Sequence, residues 1–215
     1  MSAAESSQSM LGEYLRLFAS TEIFIFVFME IITKIDTIQR VIFKKATRND
    51  YIVFTLIFGL FSIFGTLIGI PTDYGSISNI RDLAPIVAGL VAGPEVGLAV
   101  GLIGGIHRLS LGGASALPCS LATMLAGLLA GLVYRFNKEK LLGIIPAMLF
   151  TVAIELMHAG LVLLLVNPLS EAVAITIEDI PNMLIANTLG VGISVIIIHN
   201  IIESRRLVTR ESEIS

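Results

Sequence analysis

The sequence contains no tryptophan, one cysteine and few charges, and each scarcity removes a class of protein. Cys119 alone cannot close an intrachain disulfide, which excludes a disulfide-stapled fold and leaves the redox compartment open. Asp, Glu, Lys and Arg make up 14% of the 215 residues, against 55% hydrophobic ones. The mean hydropathy of +0.89 lies far outside the range of soluble globular domains. Phosphate-binding P-loops, dinucleotide fingerprints, zinc-ligand spacings and nucleophile elbows are all missing. No catalytic residue, cofactor, metal or nucleic-acid partner is therefore expected. His199, near the end of the last apolar run, is read as a helix-end residue and not as a phosphoacceptor.

What remains is long apolar runs. They fall near residues 14–33, 51–70, 83–92, 95–106, 119–136, 141–166 and 181–202. Several approach or exceed the roughly 20 residues that an α-helix needs to cross about 30 Å of hydrocarbon. No ten-residue alternation points to an outer-membrane barrel. The chain is expected to be an all-α polytopic membrane protein in contact with a lipid bilayer. The third and fourth runs are too short to cross unaided. Gly93-Pro94 breaks them apart, giving either two short helices packed inside a bundle or one interrupted hairpin. The first run lacks a basic lead-in and a small-residue cleavage site, and is read as a retained span.

Basic residues set the expected orientation. Lys34, Arg40, Lys44, Lys45 and Arg48 fall in one loop, Arg135, Lys138 and Lys140 in a second, and Arg205, Arg206 and Arg210 in the C-terminal segment. With seven crossings all three segments lie on one side, which the positive-inside rule makes cytoplasmic. The N-terminus is then outside, and so are residues 71–82, 107–118 and an acidic stretch, 167–180. Residues 1–13 are expected to form an N-terminal tail, 14–203 a single transmembrane domain and 204–215 a cytoplasmic tail. The basic loop should also attract anionic lipid.

Three basic residues break the pattern. Arg16 sits near a span entry, where snorkelling accounts for it. Arg81 and Arg108 lie in loops on the outer side, and an arginine fork there suits a carboxylate or phosphate. A helix-end anchor is the competing reading of Arg108. Asp82 can instead pair with Arg81 and cap the following helix, which would leave Asn79 a turn residue. Residues 112–119 lead into a helix whose unpaired amides, with the hydroxyls of Ser115, Ser120 and Thr123, make an anion site. Glycines 89, 93, 97, 101 and 105 recur every four residues, which serves tight packing or close approach to a ligand.

Glu155 and His158 share a helix face inside an apolar run, and an ionisable group at that depth is a functional hypothesis by default. Glu155 is either buried protonated or paired with an arginine. His158 is read as a satisfied interior histidine. Asn187 interrupts the last run and serves as interhelical glue or as a cavity lining.

Several segments together resemble a known family. Asn79-Ile80-Arg81-Asp82-Leu83-Ala84-Pro85, Ala88-Gly89-Leu90 with Gly93-Pro94, residues 101–108 ending in Gly104-Gly105-Ile106-His107-Arg108, Gly112-Gly113, and Pro118-Cys119 with Ala126-Gly127 resemble the five-transmembrane receptor domain of LytS-type sensor histidine kinases. Glu155, Asn187 and Gly190 also sit where that family carries them. The resemblance covers about residues 35–203. It implies a receptor for an extracytoplasmic small molecule or cell-envelope signal, coupled in typical members to GAF and kinase modules and linked to cell-wall control or to sensing carboxylates such as pyruvate. Only 13 residues follow Ile202, so no kinase domain is expected in this sequence, and signalling would pass through a separate histidine kinase or other partner. The short helix, Gly-Pro turn and glycine-rich helix are also similar to the S components of energy-coupling-factor vitamin transporters. That similarity implies about six core helices plus one N-terminal helix, and a competing role as a solute-capturing transporter subunit. The expected ligand site for a small anion comprises Asn79, Arg81, Gly104, Gly105, Arg108, Ser115, Cys119, Glu155 and Asn187. Assembly into oligomers is compatible with all of this.

Overall fold

In a computed structural model, backbone is described for residues 3–72 and 76–214 and side chains for 18–72 and 76–209. The N-terminal tail 1–13, Arg16 and Arg210 therefore have side chains outside the described set. The chain forms eight helices among the described residues: α1 (Ala3–Ile32), α2 (Asp36–Ile42), α3 (Arg48–Leu67), α4 (Leu83–Ala92), α5 (Pro94–Ser110), α6 (Ala116–Phe136), α7 (Ile144–Leu165) and α8 (Leu169–Ile214). The expected all-α polytopic architecture is the one observed. α3, α6, α7 and α8 are each long and apolar enough to cross a membrane. Their outward faces carry bare Leu, Ile and Phe side chains, such as Leu149, Leu164 and Ile177, as a lipid-facing surface requires.

Local chemistry explains the helix boundaries. Thr47 caps α3 in a reciprocal box: its hydroxyl accepts from the Asp50 backbone N–H at 3.4 Å, while the Asp50 carboxylate accepts from the Thr47 backbone N–H at 2.8 Å. The other Asp50 oxygen accepts from Arg40 at 2.5 Å, tying α2 to α3 and raising the Arg40 pKa above its ordinary value. Gly93 adopts φ 93°, a conformation that only glycine takes at low cost, and Pro94 then opens α5. The Gly-Pro break thus yields two separate helices. α4, with 10 residues, is about 15 Å long and buried on nearly every face inside the bundle.

α5 and α6 approach along small residues. A Cβ at Gly97 would run into the Gly127 carbonyl, and one at Gly101 would come within 2.7 Å of the Thr123 carbonyl oxygen. Gly105 likewise faces Ser120 and Met124 of α6. The four-residue glycine repeat therefore serves backbone approach, since lipid offers helices no hydrophobic drive to associate.

Two features differ from the sequence reading. The acidic stretch 167–180 is not an external loop: from Leu169 it is helical and continuous with α8 through Pro181. Its polar residues misled because Ala172 and Ile175 recur at helical spacing and pack with Val162 and Val166 of the preceding segment. Arg108 is not in a loop but in the last turn of α5. A further element was not anticipated. Ile70–Pro71 and Ile77–Ser78 form a two-residue antiparallel ladder with Ile70 opposite Ser78, closing the α3–α4 connection.

The three basic segments converge. Lys44 and Lys45 between α2 and α3, Lys140 between α6 and α7, and Arg205 and Arg206 of α8 all line one cavity at a single end of the bundle. Residues 108–115 lie at the opposite end of α6, roughly 30 Å away along its 21 residues.

Candidate functional site

The β1–β2 ladder delivers the chain to a corner that Asn79 organises. The Asn79 Oδ1 accepts from the Arg81 backbone N–H at 2.9 Å, an Asx turn, and its amide donates to the Ile77 carbonyl. Asn79 is thus committed to shaping the turn. Ser62 of α3 fixes the next residue by donating to the Arg81 carbonyl at 3.1 Å. Gly104 of α5 admits this arrangement, since a Cβ there would run into the Ser62 hydroxyl and reach within 3.5 Å of the Arg81 side chain.

Arg81 and Asp82 are consequently aimed inward with 0% exposure. The Arg81 Nε donates to Thr123 Oγ1 at 2.7 Å, and Thr123 donates to Asp82 Oδ1 at 2.5 Å. Arg81 Nε and Asp82 Oδ1 stand 3.7 Å apart. The pairing of these two residues exists, bridged by a hydroxyl. The expected helix cap does not, because the Asp82 carboxylate turns toward Thr123 and makes no capping bond to α4. Both Arg81 Nη atoms lack a hydrogen-bond partner despite full burial.

Asp82 Oδ2 lies 3.1 Å from His158 Nδ1, and Glu155 Oε2 lies 3.8 Å from the same nitrogen. The other Glu155 oxygen accepts from the Asn187 amide of α8 at 2.8 Å, and that amide also reaches the Asn79 carbonyl at 3.4 Å. His158 corrects the sequence reading. Neither ring nitrogen is in hydrogen-bond geometry, although Nδ1 is ion-paired with Asp82, and of the two carboxylates it faces primary structure places only Glu155 beside it. One donor atom each from Asp82, Glu155 and His158 falls within 4.8 Å of the others, close enough for a single metal ion to touch all three. The Arg81 guanidinium beside the same Asp82 carboxylate disfavours a cation there, and an ion-pair network accounts for the cluster more simply.

Arg108, also 0% exposed, donates from Nη1 to the Gly112 carbonyl at 2.6 Å and from Nη2 to Ser115 Oγ at 3.0 Å, leaving Nε unpartnered. It therefore folds the α5–α6 connection over the end of α5. Gly112 and Gly113 permit that fold at φ 71° and 91°. Buried Cys119, one turn into α6, has Ser115, His158 and both arginines as electrostatic neighbours, and so joins the Arg108 end of the cluster to the Arg81 end.

Arg81, Arg108, Ser115, Cys119, Glu155 and Asn187 thus come together in one buried polar cluster, with Asn79 and Gly104 shaping its edge. Gly105 stands apart, packed on α6. The ligand site expected from sequence left out Asp82, His158 and Asp179. Asp179 is 3% exposed on α8, next to Ser76 and within electrostatic reach of Arg108 and His158. Its signal was present, an acid at helical spacing from the buried Ile175, but it reads as loop when taken with Glu171 and Glu178.

The family model described as 5TMR of 5TMR-LYT matches residues 35–201, which contain the whole cluster. The chain is 36% identical over 143 residues to the sensor histidine kinase BtsS of Escherichia coli K12, covering 64% of this chain and 25% of that protein. It is 34% identical over 170 residues to the sensor protein LytS of Bacillus subtilis, covering 68% of this chain and 29% of that one. Over 101 residues it is 37% identical to the Escherichia coli sensor histidine kinase YpdA, 46% of this chain and 18% of that protein. The chain therefore spans about a quarter of the length of these relatives. No solved structure matches it.

Proposed function

The chain belongs to the five-transmembrane receptor family of LytS-type sensors, and we propose that it is a membrane receptor module binding a small extracytoplasmic carboxylate between Arg81 and Arg108. The observation that carries this reading is the state of Arg81. A guanidinium offers five N–H donors, yet in a fully buried place only Nε has a partner. A buried charge left so incompletely solvated is costly, and a carboxylate accepting from both Nη atoms in fork geometry would remove the deficit. The free Arg108 Nε supplies a further donor.

The basic end of the bundle supports the orientation, since positive-inside placement puts it in the cytoplasm and the α5–α6 connection outside. The carboxylate would tighten the α3–α4 corner against the α5–α6 connection. α8 contacts the same cluster through Asn187 and Asp179, and so would carry the change to its basic C-terminal end, where a histidine kinase partner reads it. Pyruvate is the probe of choice, a small monoanion whose keto oxygen can accept from Ser115 or Cys119.

The test is calorimetric titration of the purified chain with pyruvate, wild type against Arg81→Ala and Arg108→Ala. Saturable binding lost in both variants supports the reading. Binding left unchanged in both, or absent from a folded wild type for pyruvate and every other small carboxylate, removes it.

A further inference from the structure

The cavity where the basic segments meet lies at the end of α6 opposite the arginine cluster and has about 1170 Å³ of space. Its rim carries five cationic side chains, Lys44, Lys45, Lys140, Arg205 and Arg206, against two carboxylates, Glu139 and Glu203. One of those carboxylates is already used, because Glu139 pairs with Lys44 at 3.2 Å. Among the described residues, Lys45, Lys140 and Arg206 have no ion-pair partner. Arg205 stands 4.5 Å over the Phe43 ring, a cation–π contact at the cavity wall. Beneath this rim the lining turns apolar, with Leu90 and Val91 from the end of α4 and Ile198 and Ile202 from α8. The backbone at the rim is also held in an unusual shape. Lys44 and Glu139, the two residues that bridge the α2–α3 and α6–α7 connections, both adopt left-handed conformations, φ 57° and 56°, that non-glycine residues avoid.

We propose that this cavity binds the headgroup of an anionic phospholipid. The rim stands where the apolar helices end, which is the depth of the headgroup layer, and its net positive charge matches a phosphodiester. The apolar floor suits the glycerol ester region below it. A headgroup seated there touches α8 and both connections at once, and so fixes the output end of α8 relative to the bundle. A soluble phosphate would match the rim but leave the apolar floor unfilled. This site is independent of the carboxylate reading, since it shares no residue with the arginine cluster.

The experiment is native mass spectrometry of the full chain, released from micelles containing equal phosphatidylglycerol and phosphatidylcholine. Wild type is compared with Lys45→Gln/Lys140→Gln/Arg206→Gln and with Lys138→Gln. Lys138 belongs to the same connection as Lys140 but does not line the cavity. The wild type should retain phosphatidylglycerol in preference to phosphatidylcholine. The triple variant should lose roughly 100-fold of that preference, given about five-fold for each of three basic residues near a membrane surface. Lys138→Gln should keep it. Equal retention of both lipids by wild type overturns the proposal, and so does an equal loss in Lys138→Gln, which would indicate diffuse charge attraction. Displacement of the lipid by soluble glycerol phosphate would also overturn it, assigning the rim to a water-soluble anion. The three glutamines replace exposed side chains, and an unchanged melting temperature verifies that the fold survives.

Discussion

Replacing Arg81 by lysine separates fork geometry from charge, and the structure fixes what should follow. Lysine keeps a positive charge near Asp82, 3.7 Å from the present guanidinium nitrogen, so the buried carboxylates do not lose their counterion. What it cannot do is donate to Thr123, as Nε now does at 2.7 Å, while also presenting two parallel N–H groups to a ligand. The fold should lose about one neutral-acceptor hydrogen bond, on the order of 1 kcal/mol. The carboxylate should lose one of its two charge-assisted bonds, about 1.5–3 kcal/mol, which corresponds to roughly 10- to 150-fold in Kd. Titration calorimetry with pyruvate on wild type and Arg81→Lys, alongside thermal melts of both, measures the two quantities separately. A Kd within about two-fold of wild type in a folded Arg81→Lys protein would refute bidentate recognition at this residue.

Thr123→Val preserves shape while deleting the hydroxyl that accepts from Arg81 and donates to Asp82. It should lower thermal stability by about 1–3 kcal/mol and weaken pyruvate binding in parallel, both visible in a melt and a titration. Gly127→Ala should destabilise by roughly 1–3 kcal/mol, because its Cβ would be driven into the Gly97 carbonyl of α5 and the helices would have to separate. Asn187→Leu removes the only donor to the Glu155 carboxylate among the described residues and should cost about 1–3 kcal/mol in the same melt.

The helices were legible because each apolar run is long and bounded by turn chemistry, as at Gly93-Pro94 and at Thr47 with Asp50. Arg81 and Arg108 stood out because a charge rule singled them from twelve other basic residues. Their burial did not follow from sequence, because position relative to a span end cannot say whether a side chain turns toward water or toward the bundle. His158 was misjudged for a related reason. Its two acidic neighbours are one residue three positions back and one from the turn that leads into α4, and only packing brings Asp82 across to it. The α8 extension was hidden by Glu171, Glu178 and Asp179, polar residues that mimic a loop until the buried spacing of Ala172, Ile175 and Asp179 is seen. Asn79 shows the opposite limit. Its turn role and its site role are both written in the residue type, and only the hydrogen bonds assign the side chain to the turn.

The most direct measurement is a calorimetric comparison of pyruvate with its uncharged methyl ester on the purified wild-type chain. Pyruvate should bind saturably and one-to-one, and the ester at least ~100-fold more weakly, because it lacks the charge that the Arg81 and Arg108 donors await. Equal affinity for the two compounds would contradict an anion site built on these arginines.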